Sequence, residues 1–406
     1  MTNELKRSIG LTSLIFYGVG TMIGGGIYAL LGTIVGEAGT FAPWSMLIAG
    51  VMAMFSALTF AELSARFPSS SGPAKYVTEA FKKPILGGVF GWLVIATGVV
   101  SAATLTVAIS GFFLDLIGLP VIPGQLIVAL VIFAFAAWGI KESVVAVAII
   151  TLAEVIGLLL VIGVNFDSVV SPDLSRLDLL PSCDWPVWSG IIAGSFIAFY
   201  AFIGFEDLVT LAEEVKSSES TLPKAIIASL VITILLYVTI AIVAVLTVDS
   251  DAFAESNTPM AYLVRDSRWL SPEVLMVISL LAGFNGGLVQ AIMSSRVLYG
   301  MAQNGQAPKL FSRINSRTQT PVEATLLTTA IVFLLAFSLD LTTLAKVTSG
   351  IILFVFASMN LSLLKIKRDH QNHLGFQVPS FVPLLGLLLS VGSLVFVLAG
   401  TVSVAH

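Results

Sequence analysis

Charge is what this sequence has least of. Only 11% of its 406 residues are Asp, Glu, Lys or Arg, whereas 57% are hydrophobic and the mean hydropathy is +0.99. An ordinary soluble domain carries about a quarter charged residues, so the composition excludes that class and points to a polytopic membrane protein. Cysteine is nearly absent too, and a lone Cys183 excludes an intramolecular disulfide framework and a Cys-rich metal site. Histidine is scarce; His370 and His373, two ligands in a polar loop, are more readily a chance spacing than a metal site. Neither a His-Glu-x-x-His motif nor a Gly-x-Ser-x-Gly elbow occurs, and no paired intramembrane aspartate motif is seen, which argues against a membrane-embedded enzyme.

What the sequence has in excess is apolar runs. Eleven are read as membrane-crossing helices: 11–36, 43–66, 86–114, 124–142, 143–165, 189–212, 224–248, 273–302, 322–339, 343–364 and 380–404. Of the 20 Lys and Arg, all but Arg176, Arg265, Arg268 and Lys346 then fall on the side of the N-terminus, which predicts a cytoplasmic N-terminus and an external C-terminus. No cleavable signal peptide is read, because the first run is glycine-interrupted and exceeds signal-peptide length. The loops at 166–188 and 249–272 are too short for a catalytic module, so any chemistry belongs within the membrane. Residues 1–366 are expected to form a core of helices 1–5 and 6–10, and 367–406 a cytoplasmic loop and an additional helix 11.

Within the first run, Gly18-Val19-Gly20-Thr21-Met22-Ile23-Gly24-Gly25-Gly26-Ile27-Tyr28 places three consecutive glycines at mid-depth. Each weakens a helix by about 1 kcal/mol relative to alanine, so the pattern predicts a deliberate break with free backbone groups. The sixth run repeats the oddity, with Gly204, Glu206 and Asp207 interrupting an apolar stretch. Runs one and six each begin a group of five. Two halves of inverted topology follow naturally, since an odd number of helices starts the second half from the opposite side. The early Gly18-x-Gly20 follows no strand and is no dinucleotide loop, and Gly-x-x-x-Gly spacings here read as close helix packing.

Three stretches resemble the amino acid, polyamine and organocation (APC) superfamily of transporters: Gly18 to Gly32; Ala198 to Glu206 running into Ala212-Glu213-Glu214-Val215-Lys216; and Ser295 to Gly305 with Pro308 and Thr320-Pro321. Ala61-Glu62-Leu63 and Pro68 to Tyr76 add weaker support. The resemblance implies an all-α polytopic membrane protein with the leucine-transporter-type 5+5 inverted repeat, broken helices 1 and 6, and about eleven transmembrane helices. It also implies secondary transport of amino acids or amines. By the family's pattern, N–H groups around Gly24, Gly25 and Gly26 hold the substrate carboxylate, carbonyls near Phe199 and Tyr200 hold its ammonium, and Tyr200 is the gate. A half-helix starting near Ile27 independently offers a positive dipole end to a carboxylate. The expected substrate-binding set is thus Ile23, Gly24, Gly25, Gly26, Ile27, Phe199, Tyr200, Phe202 and Ile203, and its apolar character favours a neutral side chain. Relatives usually have twelve or more helices, so this chain departs from the pattern in number.

Coupling is expected at Glu154, aligned with the position where proton-coupled relatives carry a lysine, with Asn285 in the eighth helix as a second candidate. An ionised carboxylate at mid-membrane costs about 2.5–3.5 kcal/mol, so Glu154 is read as a proton carrier, a sodium ligand or a permanently protonated structural group. The eighth helix offers an amide but no hydroxyl at Ala282 to Gly287, which ranks proton coupling first, ion-free exchange or facilitated flow next and sodium symport last. Glu206 and Asp207 are read equally as backbone-binding or substrate-binding groups. Glu62, Glu213, Glu214 and Arg296 are inner-gate candidates, against the plainer reading of a solvated charge cluster. The expected partners are an amino acid, the lipid bilayer and protons, with no nucleic acid, cofactor or metal. A solute channel is the main rival from another class.

Overall fold

The computed structural model describes residues 9–69, 72–138, 143–171, 180–212, 215–303, 305–315, 318, 320–369 and 375–404. Its helices in chain order are α1 (Leu11–Ile23), α2 (Gly26–Ala38), α3 (Ala42–Arg66), α4 (Gly72–Phe81), α5 (Pro84–Ile117), α6 (Val121–Trp138), α7 (Ser143–Val164), α8 (Phe166–Val170) and α9 (Trp185–Ala201). They continue with α10 (Ser218–Thr247), α11 (Ser250–Ala254), α12 (Pro259–Tyr262), α13 (Pro272–Gln303), α14 (Val322–Ser338), α15 (Leu341–Asp369) and α16 (Phe381–Val404). Among the described residues, six helical stretches are long and apolar enough to cross a membrane, and five shorter apolar helices join them. The predicted runs fall on these helices. The first covers α1 and α2, the sixth covers α9 and a 3-10 segment at Phe205–Leu211, and the ninth and tenth separate at Leu339 and Asp340 as expected.

Local chemistry sets the helix ends. Proline stands in the first turn of α3, α5 and α9, where a missing N–H costs nothing. Gly118 stops α5 in the left-handed conformation, its N–H returning to the Leu114 carbonyl at 2.9 Å. Hydroxyls inside the long helices are satisfied by their own backbone, as in Thr104 to Val100 and Thr106 to Ala102, which is how polar residues tolerate an apolar surround. The short helix α4 was not foreseen. It is amphipathic, and hydrogen bonds from Lys75 and Lys82 hold its Glu79 carboxyl below the ordinary range.

Contacts between helix ends define two faces. On the one where α1 begins, here the proximal face, the Lys216 N–H donates to the Ile9 carbonyl at 3.0 Å, and Thr320 Oγ1 donates to Ala137 at 2.7 Å. At the distal face, Asp115 at the end of α5 accepts from Asn257 and Thr258, each at 3.3 Å, and Lys346 reaches Glu37 at 3.5 Å. Near the end of α16, Phe396 meets Trp185 at the distal start of α9, with ring centroids 6.1 Å apart. Helix α16 therefore runs from the proximal to the distal face.

The largest core cluster joins α1, α2, α3, α9, α10 and α15. Phe356 of α15 is its hub: the rings of Phe60, Phe199 and Phe205 lie 5.3, 5.8 and 5.1 Å from it. Such offset and edge contacts each add about 0.5–1.5 kcal/mol beyond burial. They fix α9 and the segment after it against α3 and α15, and so position the break between them.

Candidate functional site

Two interrupted helices meet at the centre of the bundle. Helix α1 stops at Ile23, Gly24 and Gly25 interrupt it, and α2 restarts at Gly26. Gly25 has φ +90°, and a Cβ there would lie 2.7 Å from Gly283 Cα, so conformation and space both demand glycine. The break is shorter than the glycine run suggested, because Gly26 already belongs to α2. Opposite it, α9 ends at Ala201, and Gly204, at φ +130°, redirects the chain into the 3-10 segment.

The breaks are bonded to each other. Thr21 Oγ1 is 3.1 Å from the Gly204 carbonyl, and the Tyr237 hydroxyl of α10 is within hydrogen-bond distance of Met22 O (2.8 Å) and Ala201 O (3.2 Å). One phenol thus serves the orphan carbonyls of both helix ends. Sequence reasoning missed Tyr237, since one tyrosine in an apolar helix carries no signal of what it faces. Glu206 Oε2 accepts the Gly204 N–H at 2.9 Å, so this carboxylate binds backbone at the second break. The Phe199 and Tyr200 carbonyls accept the Phe202 and Ile203 N–H groups at 3.1 Å, leaving each oxygen one further lone pair for a ligand.

Between the breaks lies a cavity of about 20 Å³. That volume holds about one water molecule, so nothing larger fits unless the surrounding helices part. Its lining includes Gly24, Gly26, Tyr200 and Ile203 from the expected binding set and the coupling candidate Asn285, together with Ser101 and Gln290, which were not foreseen. Tyr200 crosses the cavity to α5, its hydroxyl 3.1 Å from Ser101 Oγ. Other expected residues lie elsewhere. Phe199 packs on Phe356, Phe202 on Tyr237 at 5.1 Å, and Ile23 and Ile27 are fully buried outside the cavity lining.

Glu154 of α7 is fully buried, and its Oε1 accepts from Asn285 Nδ2 of α13 at 3.4 Å. Its Oε2, Asn285 Oδ1 and Thr151 Oγ1 are buried without a partner among the described residues. Thr151 lies one turn from Glu154 on the same helix face and abuts α1: a Cβ on Gly20 would fall 2.0 Å from its Oγ1. Tyr28 of α2 donates to the Glu154 main-chain carbonyl at 2.5 Å. Glu154 thus sits where α7 touches both halves of the broken first helix and α13.

Of the inner-gate candidates, Glu62 and Arg296 lie among the described residues. Glu62 forms ion pairs with Arg66 (2.7 Å) and Lys367 (2.8 Å), and its Oε2 accepts the Val378 N–H at 2.7 Å. Glu213 and Glu214 lie outside the described residues, as do His370 and His373. Arg296 lies on α13 away from the cavity lining.

The profile of the amino acid permease family matches residues 9–405. The chain belongs to that family. This amino acid permease is 29% identical to cationic amino acid transporter 3, mitochondrial, of Arabidopsis thaliana over 94% of its own length and 68% of that protein. It is 32% identical to the vacuolar cationic amino acid transporter 2 of the same plant, covering 90% of this chain and 60% of the relative. The branched-chain amino acid permease BcaP of Bacillus subtilis is 26% identical over 90% of the chain and 82% of that protein. The chain therefore spans roughly two thirds of the plant relatives and most of the bacterial one. Its membership of the APC superfamily stands on these matches, and a permease family moves its substrate unchanged, which sets the enzyme alternative aside.

Proposed function

We propose that this permease carries amino acids across the cytoplasmic membrane by alternating access around the paired helix breaks, with Glu154 coupling transport to protons. The observation that carries the reading is the meeting of the two breaks at one cavity, cross-bonded through Thr21 and Tyr237. The first N–H groups of α2 have no intrahelical partner and sit at its positive dipole end, a fitting cradle for a carboxylate. The second lone pairs of the Phe199 and Tyr200 carbonyls are matched to an ammonium. Because Tyr200 spans the cavity to Ser101, it serves as the gate whose displacement admits substrate. In this reading residues 1–366 form a 5+5 inverted-repeat core, 367–406 contribute helix 11, and the proximal face is cytoplasmic.

A proton on Glu154 removes the cost of a bare charge between α1, α7 and α13, and its loss forces those helices to rearrange around the carboxylate. Leu105, Ile203 and Val289 give the cavity an apolar wall that supports a neutral side chain. Gln290, a buried amide in the lining, supports the other reading, a cationic side chain. The test is uptake into proteoliposomes across an amino acid panel, with and without a proton or sodium gradient. Wild type is expected to accumulate substrate under an inward proton gradient, and Glu154→Gln to exchange substrate but lose that accumulation. Full gradient-driven accumulation by Glu154→Gln would remove the coupling role. Unsaturable flux without stereoselectivity would favour a channel.

A further inference from the structure

Helix α13 presents two amides to the cavity, and both are held in the same way. Asn285 Nδ2 donates to Glu154 at 3.4 Å, and Gln290 Nε2 donates to Asp207 Oδ2 at 3.3 Å. Asn285 and Gln290 are 3% and 6% exposed, Glu154 and Asp207 0% and 4%, and the oxygens of both amides are buried without a partner. Among the described residues, no Lys or Arg pairs with Glu154, Glu206 or Asp207.

The orientation of each amide follows from its neighbour. In both pairs the amide NH2 is the group that faces the carboxyl, so the amide oxygen is turned away from it. Each amide oxygen is thereby left as a buried acceptor, without a partner among the described residues, on a residue that lines the cavity. Asp207 is the distinctive case. It stands two residues after the helix-breaking Gly204, where the 3-10 segment swings it toward α13, and Gln290 is its side-chain partner there. A substrate side chain that is purely aliphatic leaves the Gln290 oxygen buried and unmatched. One that ends in several N–H donors and a positive charge satisfies it and balances the carboxylates behind it. The apolar wall of Leu105, Ile203 and Val289 suits the methylene stem of such a side chain.

We propose that Gln290, held by Asp207, is the side-chain specificity determinant of this permease and takes the ammonium or guanidinium end of a basic amino acid. This rests on the amino acid transport reading above and goes against the neutral side chain expected from sequence. The test measures binding of L-arginine, L-lysine, L-leucine and L-alanine to the purified full chain by ligand-induced thermal stabilisation, with competition uptake in proteoliposomes. Wild type is expected to bind arginine or lysine at least tenfold more tightly than leucine, and Asp207→Asn and Gln290→Leu each to shrink that ratio at least tenfold. Gln290→Leu preserves volume, so it decides the matter if Asp207→Asn does not fold. A wild type that prefers leucine or alanine overturns the proposal while leaving amino acid transport standing. A ratio unchanged in both variants does the same. If none of the four amino acids stabilises or competes, the transport reading falls with it.

Discussion

Arg66 and Lys367 converge on one fully buried carboxylate, Glu62, which also accepts a backbone N–H from Val378. Lys367 in turn donates to the Val378 carbonyl at 2.6 Å, so every member of the cluster is bonded at least twice. Ion pairs on a surface are worth about 0–1 kcal/mol, but removing one partner from a buried pair costs about 3–5 kcal/mol, because the other charge is left stranded. Glu62→Gln strands two cations and is expected to cost at least about 3 kcal/mol in denaturant unfolding of the detergent-solubilised protein. Lys367→Met should cost less, since Arg66 still answers the carboxylate; equal losses would show that the cluster is not ordered by charge. Tyr237→Phe removes a hydroxyl shared by two helix ends and leaves buried carbonyls unmatched, an expected loss of about 1–3 kcal/mol with the fold retained. Uptake by that variant should fall as well, because the two breaks lose a common anchor.

At the scale of helices, the two breaks were legible because glycine and carboxylates violate the apolar pattern locally. Gly24 and Gly25 are where the sequence breaks its own rule, and so are Gly204 and Glu206. What a helix touches was not legible. Thr151 and Gln290 look like ordinary polar residues on apolar helices, and only packing shows that one abuts Gly20 and the other binds Asp207. Phe199 was expected at the site for its main-chain carbonyl, and no local pattern says where its ring goes; packing turns the rings of Phe199 and Phe202 to Phe356 and Tyr237. Of the two cations on Glu62, Arg66 stands four residues on and was within reach of a local pattern, whereas Lys367 stands 305 residues later and was not. The first break gives a direct check. Gly25→Val meets both a left-handed backbone and a contact at 2.7 Å, so substrate binding should be lost altogether; unchanged affinity would detach the carboxylate cradle from this glycine.

For the whole molecule, the alternation of helix ends between two faces sets where each loop emerges, and basic residues choose which face is cytoplasmic. The distal face carries Arg265 and Lys346, whereas Lys309, Arg313 and Lys365 lie with the proximal helix ends; by the positive-inside rule this distribution supports the proposal that the proximal face is cytoplasmic. The chain supplies its own probe of this assignment. Cys183 is the only cysteine, it is exposed, and it precedes α9 on the distal face. A membrane-impermeant maleimide should therefore label the unmodified protein in intact cells. In a Cys183→Ser background, Lys309→Cys places the thiol on an exposed segment after α13 at the opposite face, and it should label only once the membrane is opened. The reverse pattern would invert the molecule and move the carboxylate cradle to the other side of the transport cycle. Labelling of both sites in intact cells would mean that the alternation of faces does not hold across α9 to α13.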